Sequence, residues 1–222
     1  MSTIALGPFM IRADILIFLL SAIVGFIVLK IRLRDREESS FILDTYVNAL
    51  IIGFVVWKFS MIVFDPIRTI QNPLSLLYFT GGDKGILLGT ALALVYIGFR
   101  LNKNKLWIIP LLKASILAYL AGAFTRCLLL WLWDESLWII GFMYVILQGV
   151  FLVLVWVKYD VSIRVFSSLA LWYSIGSVLI PFFDPNRYAV VAGFNSVQIT
   201  FGIVAFALLL LDVFLSRSNK IG

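Results

Sequence analysis

The sequence predicts an all-α integral membrane protein with about seven transmembrane helices. Hydrophobic residues make up 62% of the 222 residues, charged residues only 14%, and the mean hydropathy is +1.05. Soluble domains contain clearly fewer apolar residues. The apolar residues also form stretches close to the roughly 20 residues that cross a bilayer. The basic residues lie in short runs between these stretches, which is typical of topology signals.

Seven stretches fit the length rule and together predict one polytopic membrane domain over residues 1–222. The first and third are short for a span. No repeat, low-complexity tract or long linker separates them. The predicted spans are Ile15–Leu29, Phe41–Phe64, Gly85–Phe99, Leu106–Trp133, Leu137–Val157, Val165–Phe183 and Val190–Leu215.

The loops between these spans differ in charge. Eleven basic residues follow spans one, three, five and seven, whereas the opposite loops and the N-terminus hold four. Lys and Arg accumulate on the cytoplasmic side of membrane proteins. We therefore expect the N-terminus outside and the C-terminus in the cytoplasm. The eleven are Lys30, Arg32, Arg34, Arg36, Arg100, Lys103, Lys105, Lys158, Arg164, Arg217 and Lys220.

Cysteine and histidine, which are common in catalytic and metal sites, are nearly or entirely absent. Cys127 is the single cysteine, and the chain has no histidine. These counts exclude an internal disulfide, a thiolate metal cage and a histidine general base. We expect no metal and no cofactor.

Arg126 interrupts the apolar stretch AGAFTRCLLLWLWDESLW. A charge near the bilayer centre costs about 2.5 to 3.5 kcal/mol, so it marks a candidate site. Arg126 follows Lys105 by 21 residues, or about 30 Å along a helix. We expect it to bind a lipid phosphate with its planar guanidinium, with Lys58 joining from span two. The alternatives are a snorkelling side chain or an ion pair with Asp134, and a structural ion pair for Lys58.

The segment NPLSLLYFTGGDKGILLG leads into the third span. It contains Pro73 and four glycines, which break helices and permit close backbone approach. Lys84 falls near the expected helix start, where exposed N–H groups and a lysine would form an anion site. A plain loop is the alternative.

Several motifs, taken in order, resemble those of the prolipoprotein diacylglyceryl transferase family. The similarity covers nearly the whole chain, although each motif is eroded. The segments that carry it are LGPFMIR, NALIIGFVVWKF, NPLSLLYFTGGDKGILLG, AGAFTRCLLLWLWDE, FMYV, LWYSIGSVLIPFFDPNRY and VQITFG.

The resemblance implies transfer of a diacylglyceryl group from phosphatidylglycerol to the cysteine thiol of a membrane-tethered lipoprotein precursor. Cationic groups would bind the phosphate, and a base would generate the thiolate. By resemblance, Arg126, Lys84 and Tyr144 are the catalytic candidates. Lipid-phosphate binding falls to Arg126, Lys58 and Arg12, and the implied location is a bacterial plasma membrane.

The resemblance also implies polar support by Asp134, Gln198 and Asn72, and it includes departures. The family's catalytic histidine has no counterpart, because Thr80 or Lys84 takes its place. Ser177 stands where the family has an essential arginine.

The sequence therefore leaves several functions open. One is a phosphatidylglycerol-dependent transferase of lipoprotein biosynthesis. Another is a non-catalytic relative that binds an anionic phospholipid or a membrane partner, and a third is a transporter or channel. No feature points to nucleic acid.

Overall fold

Helices dominate the computed structural model, which describes residues 3–6, 9–72, 81–133, 138–185 and 187–218. Within those ranges, six helices are long and apolar enough to cross a membrane. The prediction of an all-α membrane protein is therefore confirmed. The helices are α1 (Ala13–Arg32), α2 (Ser39–Phe64), α3 (Pro66–Gln71), α4 (Gly82–Lys103), α5 (Ile108–Trp133), α6 (Trp138–Val157), α7 (Ile163–Leu179) and α8 (Ser196–Ser218).

The predicted spans match these helices, with shifts at their ends. The short first and third spans extend to 20 and 22 residues as α1 and α4, or about 30 Å of helix. A 3-10 turn, Ile180–Phe183, prolongs α7. The seventh, α8, has 23 residues, and its described apolar side chains run over Ser196–Leu210.

A strand pair and one short helix were not predicted from the periodicity. Strand β1 (Thr3–Leu6) pairs antiparallel with β2 (Phe9–Arg12), with Thr3 opposite Arg12. The helix α3 follows α2 directly after Asp65. Both lie outside the long apolar stretches on which the span assignment depended.

The last helix begins six residues later than the predicted start at Val190. Val191 and Phe194 form a β-bridge across a turn, with Ala192 and Gly193 at φ 51° and 80°. This left-handed backbone ends any helix and favours glycine. Hydropathy alone cannot detect such a turn, because the flanking valines are as apolar as a span.

The start of α8 is set by a reciprocal pair of hydrogen bonds. The backbone N–H of Gln198 donates to Asn195 Oδ1 at 2.8 Å, and the N–H of Asn195 donates to Gln198 Oε1 at 3.0 Å. This pattern is a capping box, which satisfies two of the N–H groups left free at a helix start. Gln198 Nε2 also donates to the carbonyl of Val178 at 3.2 Å, which ties α8 to the end of α7.

The described helices divide into two compact units, of which one is Leu33–Ala114. In it, α2 and α4 pack along a glycine seam, defined by Gly53 on α2 and by Gly81, Gly85 and Gly89. A Cβ at Gly89 would lie 2.6 Å from the Gly53 carbonyl oxygen, and one at Gly85 would lie 2.5 Å from Ser60 Oγ. The predicted close backbone approach is confirmed. The predicted helix break is wrong for Gly85 and Gly89, which lie inside α4.

The other unit consists of Met1–Arg32 and Ser115–Gly222. At one end, Arg32 pairs with Asp160 at 2.6 Å, and its guanidinium lies 4.8 Å from the Tyr159 ring centroid. Farther along α1, a Cβ at Gly122 would lie 3.3 Å from the Ser21 carbonyl oxygen. These contacts hold α1 against α5 and against the connection between α6 and α7.

Candidate functional site

A polar cluster lies inside the unit that contains α6, α7 and α8. We define it as Gln148 on α6 with Tyr173 and Ser177 on α7. All three side chains are buried, and Ser177 is fully so. Gln148 Nε2 donates to the Tyr173 hydroxyl at 2.7 Å. Hydrogen bonds between polar side chains of neighbouring helices are one of the few interactions that hold membrane helices together.

Aromatic rings enclose this polar cluster. The rings of Tyr119, Phe151 and Phe201 meet the Tyr173 ring edge-on, with centroids 6.4, 5.5 and 5.6 Å away. These rings come from α5, α6 and α8. Tyr173 is thus the residue on which four helices converge.

Two polar atoms of the cluster lack a partner among the described residues. They are Gln148 Oε1 and Ser177 Oγ, both shielded from solvent. A buried polar atom without a hydrogen bond costs about 1 to 3 kcal/mol. Such atoms suit a small polar group that enters the interior, such as a water molecule or a ligand hydroxyl, because one can accept and the other can donate or accept.

Arg126 lies at about the depth of this polar cluster. A Cβ at Gly149 would lie 3.2 Å from the Phe124 ring, and one at Gly176 would lie 2.6 Å from Leu147 Cδ1. These contacts place Phe124 beside Gly149 and Leu147 beside Gly176. Arg126 follows Phe124 by two residues, and α6 runs back along α5, so Arg126 stands near the level of Leu147.

The side chain of Arg126 is exposed, and no hydrogen bond or ion pair joins it to another residue in the described ranges. Arg126 follows Tyr119 by seven residues, so both lie on one face of α5. Tyr119 contacts Tyr173 from that face. The guanidinium is therefore available to a ligand on the side of α5 that borders the polar cluster.

Tyr144 and Gln198 belong to the same unit as Arg126. Tyr144 lies one turn before Gln148 on the same face of α6 and is partly buried. Gln198 is buried, and its side chain caps α8 as described above. Asp134 and Thr80 lie outside the described residues, and Arg12 is described only as part of strand β2.

Lys58, Lys84 and Asn72 belong to the other unit. Lys84 is exposed in the first turn of α4, and its ammonium lies 6.0 Å from the Phe64 ring centroid. Lys58 is partly buried on α2 and is engaged with other groups. Asn72 is exposed just after α3. The pairing of Lys58 with Arg126 stays a prediction.

Gln148 and Tyr173 were missed as site residues in the sequence analysis. The charged residues inside spans marked candidate sites, and neither Gln148 nor Tyr173 carries a charge at neutral pH. A usable signal existed, because Gln148 is the one amide in the apolar helix α6. Ser177 was noted only as a departure from a family arginine, yet it is fully buried in the cluster.

Compared with known proteins, the chain matches no protein-family model and no curated protein sequence.

Proposed function

We propose that this chain is a multi-pass membrane protein that binds the phosphate of an anionic phospholipid at Arg126. The observation that carries the proposal is the exposed guanidinium, which no described residue pairs, on the face of α5 that borders the polar cluster. A charge held inside a span needs a counter-charge. A lipid phosphate supplies one.

The chemistry of the site suits a phosphodiester headgroup. The planar guanidinium donates two parallel hydrogen bonds to phosphate oxygens and stays charged when it is partly desolvated. A headgroup hydroxyl at the same depth would enter toward Gln148 Oε1 and Ser177 Oγ, which have no partner in the described ranges. Each hydrogen bond formed there would offset part of the cost of burying these atoms.

The family resemblance suggests which lipid binds and where. It favours phosphatidylglycerol, the plasma membrane of a bacterium and a part in lipoprotein biosynthesis with a membrane-tethered precursor as partner. The charge bias of the loops favours an outer N-terminus and a cytoplasmic C-terminus. Reporter fusions at Arg34 and Lys158 should then read inside and one at Arg187 outside, and the reverse pattern would overturn this orientation.

Native mass spectrometry of the purified protein tests the binding of phosphatidylglycerol. Arg126→Lys keeps the charge but loses the planar guanidinium that donates two parallel hydrogen bonds, so it should weaken retention of this lipid. Arg126→Ala should weaken retention more. Arg164→Ala is the matched control, because Arg164 is exposed at the start of α7. A zwitterionic lipid measures unspecific retention.

Equal retention of phosphatidylglycerol by the wild type and all three variants would overturn the proposal. Loss in Arg126→Ala together with equal loss of the zwitterionic lipid would also overturn it, because the effect would then be structural. Tryptophan fluorescence of each variant checks that the fold is intact.

Transferase activity on a lipobox cysteine is the second candidate. Tyr144 favours it, because this predicted catalytic residue lies one turn from Gln148 beside the polar cluster. Complementation of a cell depleted of its own diacylglyceryl transferase tests it. Growth with the wild type but not with Arg126→Ala or Tyr144→Phe would support transfer, and no growth with the wild type would leave lipid binding as the function.

A further inference from the structure

The connection between α7 and α8 carries a second cation that the proposed function does not use. Arg187 stacks its guanidinium over the Phe182 ring, with 4.8 Å between the central carbon and the ring centroid. The Phe194 ring meets Phe182 edge-on at 6.2 Å. Phe182 thus joins the two ends of the connection, and Phe194 is itself held by the β-bridge to Val191.

The guanidinium of Arg187 is not saturated by the protein. Its Nη1 is shielded from solvent and has no hydrogen-bond partner among the described residues. The backbone N–H of Arg187 donates to the backbone carbonyl of Asp184 at 3.3 Å. The charge is delocalised over the three nitrogens. The accessible edge of the guanidinium can therefore bind an anion.

The surroundings of Arg187 are apolar and exposed. The relative exposure of Tyr188 is 89%, and Phe183, Val190 and Val191 are each more than 60% exposed. These side chains stand at the end of two membrane helices, α7 and α8. Aromatic residues with a polar or cationic neighbour are typical of the boundary between lipid tails and headgroups.

We propose that this connection is an interfacial anchor in which Arg187 binds the phosphate of an anionic membrane phospholipid. Phe183, Tyr188, Val190 and Val191 enter the boundary of the acyl chains. The Phe182 ring orients the guanidinium toward the headgroups. The charge and the apolar rim fit a lipid surface, because both an anion and a hydrocarbon phase lie within reach there. This site is separate from Arg126.

A fluorophore on the anchor tests this proposal. Cys127→Ala removes the single cysteine, and Tyr188→Cys then accepts an environment-sensitive label at the most exposed position. The protein is placed in nanodiscs of phosphatidylcholine alone or with increasing phosphatidylglycerol. Blue-shifted emission and quenching by brominated lipid should place the label at the interface. The emission should respond to the fraction of phosphatidylglycerol.

Arg187→Gln should raise the fraction of phosphatidylglycerol at half response by about fivefold, the contribution of one arginine near an anionic surface. Phe182→Leu keeps an apolar side chain but removes the ring face, so it should give a smaller rise. Arg164→Gln, at the opposite end of α7, is the matched control and should match the wild type.

Three results would overturn the proposal. One is emission typical of water in every bilayer. Another is an equal response of Arg187→Gln and the wild type to phosphatidylglycerol. The third is competition by free inorganic phosphate that abolishes the response, because the ligand would then be a soluble anion and not the membrane. Helical circular dichroism and a monodisperse elution profile confirm that each variant is folded.

Discussion

The two units of this protein hold their helices together by different chemistry. In one, the glycine seam brings the backbones of α2 and α4 into contact, and a Cβ at Gly89 would meet the carbonyl of Gly53. In the other, the polar cluster links α6 to α7 through the hydrogen bond from Gln148 to Tyr173. Lipid tails are as apolar as leucine, so the hydrophobic effect contributes little between membrane helices. Close packing and buried hydrogen bonds take its place.

The difference separates a structural contact from a candidate binding site. Contact along the glycine seam depends mainly on the absence of side chains, and Trp57 Nε1, beside Gly81, is a shielded donor there without a described partner. The polar cluster leaves Gln148 Oε1 and Ser177 Oγ without a described partner. A contact that served stability alone would gain from pairing or removing these atoms. Their presence therefore favours a function for the polar cluster.

Breaking the glycine seam should have the largest effect on stability. Gly89→Ala places a Cβ 2.6 Å from a backbone carbonyl that cannot move alone. We expect a loss of about 1 to 3 kcal/mol, the usual cost of overpacking, despite the better helix propensity of alanine. Gly98→Ala is the control, because its Cβ meets nothing within 4 Å on the same helix. Unfolding in detergent, followed by tryptophan fluorescence, should show a lower stability for Gly89→Ala than for Gly98→Ala. Equal stability of the two variants would contradict a stabilising role of the glycine seam.

Breaking the hydrogen bond of the polar cluster should have a smaller effect. Tyr173→Phe removes the hydroxyl that accepts from Gln148 and leaves the ring contacts in place. Such bonds contribute about 0.6 kcal/mol on average in a bilayer, so we expect a loss of about 1 kcal/mol or less. Tyr188→Phe makes the same change at a side chain that is 89% exposed and should be neutral. Unfolding of both variants in one detergent is the measurement, and an equal effect would contradict a role for the bond.

Ser177→Ala should raise the stability of the protein, in contrast to the two variants above. It removes a buried hydroxyl that has no described partner, so the protein should gain up to about 1 kcal/mol. If a headgroup hydroxyl uses this atom, retention of phosphatidylglycerol should fall at the same time. Ser168→Ala alters an exposed serine of the same helix and should change neither quantity. A gain in stability with unchanged lipid retention would make Ser177 a packing residue only.

Gly176→Ala should have the smallest effect. Its Cβ would lie 2.6 Å from Leu147 Cδ1, the same distance as in the glycine seam. The neighbour here is the far end of a flexible side chain, which can change rotamer. We expect a net change below about 0.5 kcal/mol, because the helix propensity of alanine offsets part of the strain. Gly202→Ala, with an open Cβ position on α8, is the reference in the same unfolding measurement. A loss as large as that of Gly89→Ala would show that backbone contact is not what distinguishes the seam.

Much of the fold was predictable from local properties of the chain. Hydropathy located the long apolar helices, and the four glycines of the segment before and within α4 indicated a close backbone approach. The start of α8 was predicted wrongly, because the turn at Ala192 and Gly193 is apolar in composition. In the candidate site, Arg126 stood out as a charge in an apolar stretch, whereas Gln148 and Tyr173 are neutral and did not.

The sequence by itself determined that this is a helical membrane protein with cations inside its apolar spans, because the solvation of a segment depends on its own residues. Only the tertiary structure decided that Gln148 forms a hydrogen bond with Tyr173, 25 residues away. It also decided that the face of α5 with Tyr119 and Arg126 borders this pair, because Tyr119 contacts Tyr173. These pairings depend on how each helix is rotated about its axis against its neighbours. In a bilayer, lipid solvates every face of an apolar helix about equally well. The rotation of the helix is therefore set by how its surface packs against neighbouring helices.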